Sequence, residues 1–172
     1  MLVGSFSLVL MTIVAITQVS TAPLPNTFAE GGNLGVVRPP TGWVEQSVLD
    51  FPNVSVKNSF YDAKAPSQRI LLGIISMTAG SSLSSVVDKI TTALSGEHHA
   101  NLISSQPTRL CDDGSASGWS LRYTEAGWYV VETILVGRFH GTAAIYLRKP
   151  SDSEDPTALR AIRAACIVPA PK

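Results

Sequence analysis

The residues best able to do chemistry are a cysteine, two aspartates and two histidines in the middle of the chain. Cys111 is followed directly by Asp112 and Asp113, and the pair His98 and His99 precedes it. Thiolate, carboxylate and imidazole groups bind zinc and related metals, and a thiolate beside a base is a nucleophile. Three kinds of site therefore compete for this segment: a metal centre, a catalytic thiol and a disulfide bond.

The residue types and their spacing argue against the first two. A reactive cysteine needs a positive or basic neighbour to lower the pKa of its thiol, whereas Asp112 and Asp113 would raise it. The chain has no HxxxH, HxH or CxxC spacing, and Asp-Asp-Gly-Ser is ordinary turn sequence. The alternative interpretation is a small secreted hydrolase or metal-dependent enzyme that uses His98, His99, Asp112 and Asp113. The favoured interpretation is that the chain has no catalytic, metal-binding or cofactor-binding residues.

The N-terminal segment is typical of an export signal. Residues 2–16 are almost wholly apolar, and the first charged side chain is Glu30, so no Lys or Arg precedes the apolar run. A run of this length suits a signal-peptide core and is short of the roughly 20 apolar residues of a membrane span. We interpret residues 1–22 as a signal peptide, or as an N-terminal anchor if they are not removed. Residues 23–40, rich in Pro, Gly and Asn, are the expected linker.

The two cysteines of the chain are expected to pair with each other. An exported chain meets an oxidising compartment, where two cysteines without other thiol partners usually form a disulfide. Cys111 precedes a predicted strand, and Cys166 lies on the apolar stripe of the predicted last helix. The Cys111–Cys166 bond would hold that helix against the sheet, and it removes unfolded-state entropy worth about 4 kcal/mol in the chain-entropy model.

The charge balance excludes a class of partner. The 13 basic and 13 acidic residues give no net charge, and no run or stripe of Lys and Arg forms a basic face. Nucleic-acid binding depends on such a face. We therefore expect a neutral domain whose partner is a protein or a small ligand, with membrane contact only through the N-terminal segment if that segment is retained.

Short runs rich in β-branched and aromatic residues predict strands on both sides of one helical segment. The run at residues 69–77 is apolar on both faces, which favours a central strand. The segment at residues 101–110 is extended and partly apolar. The other predicted strands are residues 43–48, 54–61, 119–124, 128–136 and 142–147.

Two segments have the apolar period of a helix. The first lies between Ser82 and Ser95, with Ser81 or Ser82 as its N-cap and Gly96 as a left-handed C-cap. The second is capped by Asp155 and ends before Pro169.

This order of elements predicts an α+β fold, in which an antiparallel sheet of about six strands packs with two main helices. Residues 41–168 form the single predicted domain, and residues 169–172 form a tail.

A few polar and aromatic residues are candidates for contact with a partner, because they lie at strand starts, hairpin tips or helix ends. Glu125 and Glu132 flank the turn at Gly127, and we interpret them as solvent-facing or cross-strand ion-pairing residues rather than an acid and base pair. The contact candidates are Trp128, His140, His98 and His99.

The order of elements resembles the PsbP/DcrB-type fold. The resemblance covers about residues 38–168 and is carried by RPPTGW, SSLSSVVDKI, GWSLRYTEAG, WYVVETILV, TAAIYLRKP and DPTALRAIRAAC. It implies an antiparallel sheet between helices and an exported or lipid-anchored accessory protein without catalytic residues. The chain departs from the bacterial lipoprotein members, because no cysteine lies near its apolar N-terminal run. The expected function is a secreted or periplasmic, non-catalytic binding or accessory domain.

Overall fold

The computed structural model describes residues 34–36, 39–111, 113–137 and 140–168. The predicted signal peptide or anchor and the predicted tail lie outside the described residues. The elements in chain order are β1 (Leu34–Val36), β2 (Trp43–Gln46), β3 (Ser55–Asp62), β4 (Arg69–Ile75), α1 (Leu83–Gly96), β5 (Asn101–Leu110), β6 (Ala116–Glu125), β7 (Trp128–Val136), β8 (Gly141–Arg148), α2 (Pro156–Arg163) and β9 (Cys166–Val168).

Seven strands form one antiparallel sheet in the order β2-β3-β4-β8-β7-β6-β5, and β1 pairs with β9 in a separate two-stranded ribbon. The predicted α+β fold is confirmed, but the sheet has seven strands rather than about six. The additional strand is β5, which the sequence predicts only to be extended. It is an edge strand that pairs with β6 alone and contains Pro107, a residue that edge strands tolerate because it donates no ladder hydrogen bond.

The two helices cover opposite faces of the sheet. α1 buries Val86 and Ile90 in one apolar cluster with Leu121 of β6 and Ile134 of β7. α2 packs its apolar residues in a second cluster, on Phe60, Ile70 and Tyr146. Because both faces are covered, the central strands β4, β7 and β8 are buried along almost their whole length. The prediction that residues 69–77 form a central strand is confirmed.

The start of α1 is as predicted and its end is not. The Ser82 hydroxyl accepts a hydrogen bond from the Ser85 amide at 3.2 Å and caps the helix. Gly96 is the last residue of α1 but is not a left-handed C-cap, because the cap is Glu97, which keeps a right-handed conformation and donates its amide to the Ala93 carbonyl. The left-handed residue is His99, with φ at 50°, where the chain turns into β5.

The last helix also ends earlier than predicted. Asp155 caps α2 by accepting from the Thr157 amide at 2.7 Å, as its position predicts. The helix then stops at Arg163, so the prediction that Cys166 lies on it is wrong. Cys166 is in β9 because it pairs with Val36 of β1, and a ladder requires extended backbone. Residues 34–36, within the expected linker, therefore form a strand.

Gly73 occupies a close approach inside the sheet. A Cβ atom at this position would overlap the Val54 side chain and lie 2.8 Å from the Ser55 carbonyl oxygen. We expect Gly73→Ala to lower the free energy of unfolding by about 2 kcal/mol, because backbone must shift to admit the methyl group. Urea denaturation measures this loss.

Gly96→Ala is the matched control for that variant. Gly96 lies in α1 with open space around its Cα, so alanine there should preserve or slightly raise stability. Equal losses in the two variants would contradict the steric explanation.

Candidate functional site: a groove beside Trp128

Cys111 and Cys166 form the predicted disulfide. The bond joins the turn after β5 to β9, and the Cys111 amide also donates to the Arg163 carbonyl at 3.0 Å. The disulfide therefore fastens the chain just beyond α2 to the edge of the sheet and does not hold the helix itself. Since these are the two cysteines of the sequence, neither supplies a thiol nucleophile in this form.

The residues of the metal-centre alternative do not come together. His98 and His99 precede β5 and Asp113 follows it, so they lie at opposite ends of a strand about 30 Å long. Asp113 is exposed, and hydrogen bonds from Ser115 lower the pKa of its carboxyl. Asp112 lies outside the described residues, and the described part of the chain holds no cluster of three or more His, Cys, Asp or Glu side chains.

A groove beside Trp128 is the candidate binding site. Its volume of about 470 Å³ falls within the range usual for small-ligand sites. The charged residues Asp50, Arg69 and Glu125 line part of it. The remaining wall and floor are apolar, formed by Leu49, Phe51, Pro52, Leu71, Val130 and Leu147.

A tight turn places Trp128 at the mouth of this groove. Ala126 and Gly127 both have positive φ, 47° and 77°, which is the conformation of a two-residue β-hairpin turn. The turn sets Glu125 of β6 opposite Trp128 of β7. Because side chains alternate along a strand, Trp128 and Val130 face the same side of the sheet, the side that α1 covers further along.

Two cations flank the Trp128 ring. The Lys149 Nζ lies 3.7 Å from the ring centroid, and the Arg69 Cζ lies 5.9 Å from it. Arg69 also donates from Nη1 to the Gln46 side-chain oxygen at 3.1 Å, while its Nε is buried without a hydrogen-bond partner among the described residues. The groove thus holds an aromatic ring and a guanidinium group in fixed positions.

The structure brings together two of the four predicted contact residues. His98 places Nδ1 3.4 Å from the Glu125 Oε1, so it borders the groove wall beside Trp128. His99 is exposed at the turn into β5. His140 lies in the connection at the far end of β7, a strand length of about 30 Å from Trp128. The role of all four as contact residues stays a prediction.

Glu132 corrects a further interpretation, since it does not face solvent and forms no ion pair with any residue that the structure describes. Its side chain is 2% exposed beneath α1, and the Tyr123 hydroxyl donates to it at 3.2 Å. Burial raises the pKa of Glu132 from 4.5 to about 7, the Tyr123 hydrogen bond opposes this rise, and the Glu125 charge adds to it. Burial likewise raises the pKa of Tyr123. The signal in the sequence was the run WYVVETILV, in which Glu132 is the one charged residue.

The sequence does not indicate that Arg69 and Lys149 lie close together. Arg69 begins β4 and Lys149 directly follows β8, so the two charges are far apart in the sequence. They meet Trp128 because β8 lies between β4 and β7 in the sheet. Only that strand order identifies the three residues as one site.

Comparisons with known proteins find matches among solved structures. No protein-family model and no curated protein matches the chain. Among solved structures, the chain is similar to the solution structure of cyanobacterial PsbP (CyanoP) from Synechocystis sp. PCC 6803. The two are 15% identical with a TM-score of 0.46, and the match covers 74% of this chain and 88% of that chain. The protein in that structure is of the same type that the order of elements resembles.

Within the ranges described by the structure, no helix has the length and apolar character to cross a membrane.

Proposed function

We propose that this chain is a non-catalytic binding domain that acts outside the cytoplasm and holds its partner in the groove beside Trp128. The observation that carries the proposal is the groove itself. It is mainly apolar, it has the volume of a small-ligand site, and its aromatic ring and guanidinium are already held in position. Pre-positioned groups favour binding because little freedom is lost when the partner arrives.

The disulfide and the N-terminal sequence support an extracytoplasmic location. Disulfides persist in oxidising compartments and are rare in the cytosol. The Cys111–Cys166 bond and the apolar run at residues 2–16 both fit export. A fusion of residues 1–40 to alkaline phosphatase, an enzyme active only after export, tests this part. We expect activity outside the cytoplasm, and an inactive fusion of normal abundance would contradict it.

The contacts of the charged groove residues suit binding. Arg69 and Lys149 lie against the Trp128 ring, and Glu125 faces His98. These contacts orient the side chains around an apolar space, as a recognition site requires. We therefore propose an accessory role in which the domain presents or carries a bound component.

Trp128→Ala tests the groove as the site. We expect the full chain to bind Nile red, an uncharged apolar dye, and Trp128→Ala to weaken that binding about tenfold or more, because the largest apolar contact is removed. Dye fluorescence during titration gives the dissociation constant. Trp128→Phe, which retains a ring, should lose less.

Trp119→Ala is the matched control for this measurement. Trp119 is a half-buried tryptophan on the same face of the sheet, in β6, and it lies outside the groove. It should bind the dye as well as the unmodified chain does. Dye binding that survives Trp128→Ala, or that falls equally in both variants, would refute the proposed site.

A further inference from the structure

We propose that the groove beside Trp128 takes a small apolar monocarboxylic acid, whose carboxylate pairs with the Arg69 guanidinium and whose apolar body lies on the groove floor. This inference rests on the proposed function and names its ligand class. Three observations carry it: an uncompensated guanidinium, acidic neighbours that limit the ligand to one charge, and an apolar floor.

Arg69 has no anionic partner among the described residues. The ion pairs among the described residues are His98 with Glu125 and Arg122 with Glu154, so no described carboxylate neutralises Arg69. Its Nη1 donates to an uncharged amide oxygen of Gln46, and its buried Nε donates to no described group. A half-buried guanidinium without a described carboxylate partner is unfavourable, and a carboxylate is the planar acceptor that matches the outer nitrogens of a guanidinium.

Lys149 strengthens the attraction for an anion. It lies over the Trp128 ring, which Arg69 also approaches, and it too lacks a carboxylate within ion-pair distance among the described residues. Two cations thus converge on one aromatic ring. A single negative charge placed beside that ring would interact favourably with both.

The acidic lining limits the ligand to one carboxylate. Asp50 and Glu125 both line the groove, and the Glu125 carboxylate already contacts the His98 ring. A second ligand carboxylate would approach these groups and be repelled, since like charges disfavour each other at short range. The rest of the ligand is expected to be uncharged.

The floor of the groove favours an apolar body. Leu71 of β4, Leu147 of β8 and Val130 of β7 form neighbouring positions of the sheet, and Phe51 closes the groove from the preceding segment. A chain or ring of several carbons would bury its surface against them and against Trp128. Because the groove is bounded by this loop segment, we commit to a free acid rather than to the end of a protein.

Displacement of Nile red from the full chain tests the inference with three competitors: octanoate, octan-1-ol, and a short peptide with a free C-terminal leucine. Octanoate and octan-1-ol share the apolar chain and differ in the charged group. We expect octanoate to compete at least tenfold more strongly than octan-1-ol, and more strongly than the peptide. Peptide binding tighter than octanoate would overturn the choice of a free acid.

Arg69→Gln supplies the decisive variant. It should still bind Nile red but lose the preference for octanoate over octan-1-ol. Arg122→Gln, a half-buried arginine on the α2 side of the sheet, is the matched control and should keep that preference. Thermal unfolding of both variants checks that they fold.

The failures of the two proposals are distinguishable. Equal competition by octanoate and octan-1-ol, a preference that survives Arg69→Gln, or no displacement by octanoate would each overturn the carboxylate assignment. If Nile red binding still depended on Trp128, the groove would remain the binding site. Loss of that dependence would instead overturn the proposed function.

Discussion

Glu132→Gln should stabilise the domain more, relative to the wild type, at pH 8.5 than at pH 5. In the folded chain the pKa of Glu132 is about 7, whereas an exposed glutamate titrates near 4.5. Between these pH values the folded state keeps a proton that the unfolded state has lost. Stability therefore falls as the pH rises from about 4.5 to about 7 and then levels off. The glutamine side chain does not titrate and removes this loss.

The expected size is large for a single substitution. A difference of this magnitude between folded and unfolded pKa corresponds to about 3 kcal/mol above pH 7. The buried amide of glutamine can accept from the Tyr123 hydroxyl, but its NH₂ group needs a partner of its own, which adds a cost that does not depend on pH. The variant is therefore judged by its free energy of unfolding relative to that of the wild type. This difference is measured at pH 5 and at pH 8.5, and the prediction concerns how much it changes between the two.

Urea denaturation at a series of pH values measures this quantity. Glu97→Gln is the control, because Glu97 is exposed just after α1 and this variant keeps the buried carboxyl of Glu132 in place. A Glu132→Gln profile parallel to that of the wild type would mean that Glu132 is ionised in the folded state even at pH 5. Such a result would contradict the burial argument.

The sequence predicts the class of the fold well because period and turn chemistry are local. The cap at Ser82, the cap at Asp155 and the central position of β4 all follow from residues within a few positions of each other. The wrong predictions concern properties that depend on distant neighbours. Cys166 leaves the helical pattern because β1, at the other end of the chain, pairs with its segment.

The same distinction explains what was missed at the site. Trp128 was identifiable as a contact candidate from its position at a strand start, but Arg69 and Lys149 became relevant only through the order β4-β8-β7. The interpretation of Glu132 as solvent-facing or ion-paired is wrong. It relies on the usual behaviour of an isolated carboxylate in a strand, which faces water. Here α1 and α2 cover both faces of β7, so no position in the middle of that strand is exposed.

The two apolar clusters and the disulfide stabilise different parts of the domain. The cluster beneath α1 rests on a helix of 14 residues, whereas α2 is a short helix of 8 residues on the opposite face. The chain after α2 is fastened by the β1–β9 ribbon, by the Cys111 amide bond to Arg163 and by the disulfide. The α2 face should therefore depend on the disulfide more than the α1 face does.

Replacing both cysteines by serine should cost the domain about 4 kcal/mol, because the unfolded chain regains the freedom of the 55-residue span that the bond closes. Urea denaturation of Cys111→Ser/Cys166→Ser against the oxidised wild type measures the loss, and the wild type in excess dithiothreitol should show nearly the same loss.

Hydrogen exchange should locate the effect of the same replacement. Amides of α2 and β9 should exchange faster by a larger factor than those of α1, because they lie next to the released end of the chain. A loss below about 1 kcal/mol would show that the ribbon and the packing of Ile162 already hold this end in place, since a closed span of this length is otherwise strongly stabilising. Equal acceleration in both helices would show instead that the two faces unfold as one unit, and that the bond stabilises the whole domain rather than its α2 side.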